Sequence, residues 1–573
     1  MSENKIYFKF DGKTYGGNQG DTIASALLRN EVKLVGRSFK YHRPRGIYTC
    51  GIEEPNALVQ LINEHNEPNV RATVKKIYDG MVVKSQNRWP SLKRDLGSIN
   101  NLLSPIFSAG FYYKTFMGPK GFWKNVYEPL IRRTAGLGKP PREFKSKSIH
   151  LHHNIDILIV GGGLAGLLAA KKLAGTDQDV LLVERDNNLG GILRNSNKIK
   201  SIDGQKSADW IEKTEWLLKS ANNIKILKNT TVTTYNYKDH LIAIEDKTVG
   251  TPPDNNKPEL VMHKIRTKHT VLANGHIERF LSFRNNDLPG VMLAASFEKY
   301  IHRYGVVADT SPVIFTNNSS TFSLLKTMVD MNHKPKAYVD VRDSKKIEKE
   351  TLELINNYNI PFYPKSEIEG CEGKNQIEKV FIRTKKDKTL KIKTSMLCIS
   401  GGLNPDIHLF TQSKGLVKWD EKILTFKPEK SFQNTITLGS VSGNFYFEKL
   451  VEEVNKKLGF IEGCNNVNTN IEVLGPKEFY IKEIWETKSL KKSLWSKSFI
   501  DLQNDVTTKD LRQAIREGFD RIEHLKRFTT NSMGTDQGKI SSINALGIAS
   551  KLLKKSVSEV GTTTYRPPYS PVS

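Results

Sequence analysis

The sequence predicts an α/β fold built on two strand–helix–strand units, with a small β-rich domain before them and a helical region after. Three observations carry this. A buried-strand run, Ile155-Asp-Ile-Leu-Ile-Val160, opens onto Gly161-Gly-Gly-Leu-Ala-Gly166, an apolar helical stretch and a second strand ending in an acid. A second unit of the same pattern, Val313-Ile-Phe-Thr316 to Ala337-Tyr-Val-Asp340, follows without glycines at its turn. The two ends of the chain lack this alternation.

Residues 1–88 read as a β-grasp domain. Ile6-Tyr-Phe-Lys-Phe10 alternates at period two, Asp11-Gly12 makes the turn, and Asp21 or Thr22 caps a helix from Ile23. Ala57 to Leu61 and Ala72 to Val74 read as further strands. The basic loop His42-Arg-Pro-Arg45 could meet a phosphate. Residues 89–150 form a structured connector rich in Pro, Gly, aromatic and basic residues (Phe111-Tyr-Tyr-Lys, Gly121-Phe-Trp-Lys, Pro140-Pro141). Packing on the chain's own domains and a subunit interface both remain open for it.

Residues 151–288 and 400–460 read as a Rossmann-like dinucleotide-binding domain. Gly161 makes a tight turn, Gly163 lets the backbone approach a pyrophosphate, and Gly166 lets helix and strand pack closely. The helix start, with Ala165 in its first turn, offers unpaired N–H groups to the phosphates. Glu184 closes the second strand, where it can accept from a ribose 2′-OH and disfavours a 2′-phosphate; Arg185 stands beside it. Leu189-Gly190-Gly191 is a second glycine turn close to the same ligand. Asn229 to Val232 and Thr270 to Gly275 are later strands, with Ala273 and Gly275 at the ligand end, and Thr435 to Gly443 is another.

Residues 289–399 hold the second unit. Its turn, Asn317-Asn-Ser-Ser320, has no glycine, so its backbone cannot approach a pyrophosphate closely. Leu397 to Pro405 returns the chain to the first domain. Residues 461–573 read as helical. Thr507-Thr-Lys-Asp510 opens a helix whose stripe runs through Leu511, Ile515, Phe519, Ile522 and Leu525. Thr562 to Ser573 reads as an extended, linker-like tail.

The bulk properties exclude much. The 573 residues are 38% hydrophobic and 26% charged, which rules out collagen, coiled coil and bulk disorder. No run of about 20 apolar residues predicts a membrane span, and the N-terminus lacks a signal-peptide core, so a cytoplasmic location is expected. The net charge of +26 is spread along the chain and interleaved with acids, which predicts a Lys-rich surface rather than a nucleic-acid stripe. The four cysteines, Cys50, Cys371, Cys398 and Cys464, form no C-x-x-C pair, and His150, His152 and His153 have no further ligands in view, so no metal site is expected. No motif for nucleophilic catalysis is present, and no catalytic residue is assigned.

Longer runs carry a resemblance. Gly36-Arg-Ser-Phe-Lys-Tyr-His-Arg-Pro-Arg-Gly-Ile-Tyr-Thr-Cys-Gly-Ile-Glu-Glu-Pro-Asn-Ala-Leu58, Asn285-Asn-Asp-Leu-Pro-Gly-Val-Met-Leu293, Ser400-Gly-Gly-Leu-Asn-Pro405, Asp505-Val-Thr-Thr-Lys-Asp510 and Thr535-Asp-Gln-Gly-Lys539 resemble, in order, the alpha subunits of heterotetrameric sarcosine oxidases. The resemblance implies a two-dinucleotide-binding-domain flavoprotein fold. It implies oxidation of sarcosine to glycine, transfer of the one-carbon unit to tetrahydrofolate, and hydrogen peroxide formation. It implies NAD on this chain, FAD and FMN on or shared with a beta subunit, and gamma and delta partners. By motif, its NAD contacts fall on Ala165, Glu184, Arg185, Val232, Ser440 and Phe445.

Two departures stand out. Related subunits carry cysteines for a [2Fe–2S] cluster in the N-terminal domain, where this chain has only Cys50, so a cluster-free domain is expected. The family's folate-binding aminomethyltransferase-like domain would begin about where this sequence stops. That domain is then a separate chain, or the sequence is a fragment, or the function is lost. A subunit of a related amine, imino-acid or opine dehydrogenase and a non-catalytic scaffold are the alternative readings.

Overall fold

The computed structural model describes residues 5–62, 66–111, 116, 118–134, 147–252, 254, 257–464, 466–489 and 497–570. The residues 112–114 of the connector's aromatic run and Pro140-Pro141 lie outside them. Strands Lys5–Phe10 and Lys13–Asn18 form the N-terminal hairpin, and the sheet continues through Val82–Ser85, Leu58–Leu61 and Glu67–Arg71. Helix Ile23–Arg29 crosses this sheet and starts with a capping box, Thr22 accepting from Ser25 N. Its buried face, Ile23, Ala24, Leu27 and Leu28, packs on Phe8, Phe10 and Val59. Residues 72–74 form a turn rather than the expected strand, because the pairing with Leu58–Leu61 is made by Glu67–Arg71.

The central sheet runs Ile224–Leu227, Val180–Val183, Ser148–Val160, Leu260–Leu272, His240–Asp246, Thr230–Asn236, with Thr435–Thr437 parallel to the end of Leu260–Leu272. The strand at Ile155 is the buried end of a 13-residue strand whose first half carries His150, His152 and His153. Its apolar end and helix Leu164–Leu173 bury each other; Ile157, Ile159, Leu167, Leu168 and Ala170 are fully buried. Burying such side chains contributes about 1.5–3 kcal/mol each.

A second, all-parallel sheet runs Val291–Leu293, Leu397–Ser400, Val313–Thr316, Ala337–Asp340, Phe362–Pro364. Leu397–Ser400 belongs to this sheet. The return towards the first sheet is made by Leu403–Pro405, which pairs antiparallel with His276–Glu278. The described residues among 461–507 carry short strands, including Ile471–Val473 and Phe499–Asp501, rather than helices. The apolar stripe beyond them is two helices, Thr508–Arg516 and Ile522–Thr529, parted at Gly518 with φ +92°. Thr507 and Asp510 form a capping box there, and helix Ser542–Leu553 packs on the first of the two. No helix among the described residues is long and apolar enough to cross a membrane.

Candidate functional site

Residues 161–163 join strand Ser148–Val160 to helix Leu164–Leu173, and each glycine meets a different constraint. Gly161 sits at φ +104°, and a Cβ there would lie 2.6 Å from the Ala273 carbonyl oxygen. A Cβ on Gly166 would lie 1.9 Å from the Gly161 carbonyl oxygen, so the helix passes the loop backbone at closest range. Gly163 has an ordinary φ of −74°, and the nearest atom to a Cβ there is Gly191 Cα at 4.0 Å. That side of the loop faces the second glycine turn at ordinary contact distance, and Gly163 and Gly191 both border one cavity. The second glycine turn lies alongside, with Gly190 N donating to Gly162 O at 2.8 Å.

Glu184 ends the neighbouring strand. Its carboxylate accepts from Gly162 N at 2.6 Å and from Asp186 N at 2.7 Å, which ties the strand end to the glycine loop. Burial raises its pKa and the Asp186 charge adds to that, while Arg185 opposes it. Asp186 itself is held low: Lys299 and Arg303 outweigh its burial.

These groups line a cavity of about 300 Å³. Of the twelve residues singled out in the sequence, it brings together Gly161, Gly163, Ala165, Glu184, Arg185, Gly191, Val232, Ala273, Gly275 and Ser440. Gly166 packs behind the loop. Phe445 lines a smaller adjoining cavity of about 80 Å³ that shares Lys198, His276 and Ser440 with the first.

Other walls were not legible in the sequence. Cys50 and Glu53 come from the N-terminal domain, and Glu278, Ser296 and Glu298 from the start of the second sheet region. Burial pushes Glu278 up to about 7 and His276 down to about 3. Tyr569 comes from the tail. Its N–H donates to Thr233 O at 2.6 Å, its carbonyl accepts from Lys539 Nζ at 2.6 Å, and its hydroxyl donates to Asp406. Tyr565 lies against His408, ring centroids 3.8 Å apart. The tail is therefore a docked wall of the cavity rather than a linker. Its two tyrosines were the available signal, since linkers seldom carry buried aromatics.

The loop His42–Arg45 turns inward, and its charged side chains pair with carboxylates of this chain. Arg43 donates to Asp287 at 2.6 and 2.8 Å, and Arg45 bridges Asp287 and Asp505. His42 Nδ1 lies 2.8 Å from Asp95. These acids sit on distant parts of the chain, so no local pattern announced them.

Bound groups can be tested against these residues. A dinucleotide fits: Gly163, the first-turn N–H groups of a helix and a strand-end carboxylate all meet one cavity. A four-thiolate cluster does not fit the N-terminal domain, where Cys50 is the single cysteine and burial pushes its thiol up to about 11. His153 Nε2 lies 2.9 Å from His263 Nδ1, and no metal-binding group of three or more ligands occurs among the described residues.

The fold and the cavity define a dinucleotide-binding protein of the oxidoreductase type. Residues 155–427 match the family Pyridine nucleotide-disulphide oxidoreductase, residues 3–88 match 2Fe-2S iron-sulfur cluster binding domain, and residues 495–573 match Sarcosine oxidase A3 domain. A solved structure, L-proline dehydrogenase from P. horikoshii, shares the fold with a TM-score of 0.64 at 20% identity, covering 100% of this chain and 97% of that one. More particularly, the chain is a relative of the sarcosine oxidase alpha subunit. It is 37% identical to that of Rhizobium meliloti (strain 1021) over 99% of its length, and 29% identical to that of Corynebacterium sp. (strain P-1) over 98%. It spans 57% and 55% of those two proteins.

Proposed function

We propose that this chain binds NAD in the glycine-loop cavity and serves as the alpha subunit of a sarcosine oxidase-type complex. Such a complex is an oxidoreductase acting on the CH–NH bond of a secondary amine. In this reading FAD and FMN are held on or shared with a beta subunit, and gamma and delta subunits complete a cytoplasmic assembly. The one-carbon unit passes to tetrahydrofolate on a separate or further domain, and oxygen is reduced to hydrogen peroxide. The observation that carries the reading is Glu184, which faces the same cavity as Gly161, Gly163 and Ala165. A carboxylate at that strand end favours a free ribose hydroxyl and repels a 2′-phosphate.

Calorimetry on the full chain tests this. NAD should bind, NADP should bind more weakly, and Glu184→Ala should weaken NAD by about 10–100-fold, the worth of one charge-assisted hydrogen bond. Failure to bind NAD, or equal affinity in the variant, refutes the proposal. Assaying the assembled complex with sarcosine, proline and opines separates the oxidase from the related amine and imino-acid dehydrogenases.

A further inference from the structure

Ten of the 26 large apolar side chains that stand exposed among the described residues fall within residues 89–130. They group in two runs. Leu96, Ile99, Leu102 and Leu103 sit on and just after the 3₁₀ turn Leu96–Asn101, and Phe122 and Val126 lie just before helix Glu128–Thr134. Each of these six is between 42% and 60% exposed. A chain of ring contacts joins the second run to the end of the first: Phe107–Phe111 at 5.9 Å, Phe111–Phe116 at 5.8 Å, Phe116–Tyr127 at 5.0 Å and Phe122–Tyr127 at 5.9 Å. The inner side of this layer is fixed to the body. Ala109 N donates to Asp510 Oδ1 at 3.0 Å, Gln513 Nε2 donates to Ala109 O at 3.2 Å, and Ala109 and Phe111 are buried. Asp510 is also the capping residue of helix Thr508–Arg516, so the layer rests on a helix start with its own tight geometry.

Exposed apolar side chains gathered this densely in one segment mark an interaction surface. Its charge says what covers it. Lys93, Arg94, Lys120 and Lys124 are exposed around it, and Asp95, the one acid in residues 91–126, is buried against His42. A second copy of this chain would bring the same basic rim and a net charge of +26. An acidic rim around an apolar centre is the complement. The first run stands on a 3₁₀ turn with Pro105 after it and the second on a separate short helical stretch, Trp123–Tyr127 running into Glu128–Thr134, so the apolar residues do not form one long amphipathic helix of the kind that lies in a lipid interface. We infer that the two runs, 96–103 and 122–126, are the docking surface for a different protein subunit, one that presents an apolar patch ringed by Asp and Glu. This rests on the reading of the chain as one subunit of a complex.

The test is hydrogen exchange on the full chain, alone and in the native complex isolated through a tag on this chain. The tagged complex is also prepared with Ile99→Glu/Leu102→Glu and, as a control, with Tyr237→Glu, which is 79% exposed on the central sheet. The expected result is that peptides over 96–103 and 122–126 exchange at least 10-fold more slowly in the complex. The double variant should weaken assembly at least 10-fold while Tyr237→Glu leaves it intact, and NAD affinity should stay unchanged in both. Assembly should also loosen as salt is raised. A complex in which these peptides are unprotected overturns the docking surface and leaves the subunit reading standing. Protection by phosphatidylserine vesicles in place of a protein, or by self-association of the chain, also overturns it. A chain that is isolated from its cells without any partner overturns both.

Discussion

Two glycines at one strand-to-helix junction, Gly163 at its cap and Gly166 in the helix, should fail in opposite ways. In Gly166→Ala the new methyl would lie 1.9 Å from the Gly161 carbonyl oxygen and 3.0 Å from its carbon. Both are backbone atoms that no rotamer change can move aside. Helix Leu164–Leu173 must then retreat by more than an ångström from a strand whose Ile157 and Ile159 are fully buried. Overpacking of this kind costs about 1–3 kcal/mol or more. In Gly163→Ala the backbone φ is −74°, and the methyl meets nothing nearer than 4.0 Å. Stability should not fall. The methyl does narrow the cavity that Gly163 lines beside the helix start, and losing one hydrogen bond to a charged group costs about 1.5–3 kcal/mol. The affinity for NAD should drop by about 10–100-fold. Thermal unfolding and calorimetry on the two variants separate the effects. If Gly163→Ala keeps the parent affinity, no phosphate lies on that loop. If Gly166→Ala unfolds at the parent temperature, the close pass of helix and loop is wrong.

Three further perturbations probe the surroundings. Tyr569→Ala should weaken NAD binding by removing a cavity wall, and Tyr569→Phe should fall between it and the parent because only the bond to Asp406 is lost; equal affinities in a calorimeter would remove the tail from the site. Asp287→Asn removes the buried charge that Arg43 and Arg45 share, leaving them Asn285 and Asp505, at about 3–5 kcal/mol. Denaturant melts should show that loss with the NAD affinity of the folded protein unchanged; the reverse pattern would restore the phosphate reading of His42–Arg45. Glu278 binds its proton up to about pH 7 in the folded chain but only to its ordinary 4.5 when unfolded. The folded state thus holds more protons in that window, and this group's share of stability falls as pH rises through it. Glu278→Gln should flatten the drop in melting temperature between pH 5 and pH 8, though not abolish it, since Glu54 and Asp501 are pushed to about 7 as well. An unchanged slope would show that Glu278 titrates normally.

What was legible in the sequence was what is local. The glycine loop, the helix after it and Glu184 lie within a short stretch of sequence, and their residue pattern is complete within it even though Ala273, far along the chain, also crowds Gly161. The capping boxes at Thr22 and Thr507 are equally local. At Arg43 and Arg45 the charge was visible but a phosphate contact and a structural role both stayed open, because their partners, Asp287 and Asp505, come from far along the chain. The tail misled for the same reason: its prolines read as extended backbone, and nothing nearby records that Thr233 and Lys539 hold Tyr569 in place. The stripe from Leu511 to Leu525 kept its period across Gly518, so pattern alone joined two helices that the turn separates.

The turn of the second unit explains why two similar units give one open cradle. At the position of the glycine loop, Asn318 Oδ1 accepts from Ser320 N at 2.9 Å, and Asn318 Nδ2 donates to Ser400 Oγ at 3.1 Å. Ser319 N donates to Tyr480 O at 3.1 Å, and Lys482 N donates to Asn317 O at 2.9 Å, so residues 480–482 lie across the loop like an added strand. At the position of Glu184 stands Asp340, fully buried and held by Arg342 through Nη2 at 2.8 Å. The turn that a second dinucleotide would need is thus already bonded within the chain and its acid is fully buried, whereas Glu184, also bonded to Gly162 N and Asp186 N, still borders a cavity. In the first unit Gly163 borders the same cavity as Glu184. In the proposed reading NAD takes that one open cradle, and the flavins are then held on or shared with another subunit. That arrangement requires a stable contact between subunits, and the apolar, basic-rimmed face at Leu96–Leu103 and Phe122–Val126 has the chemistry to provide it.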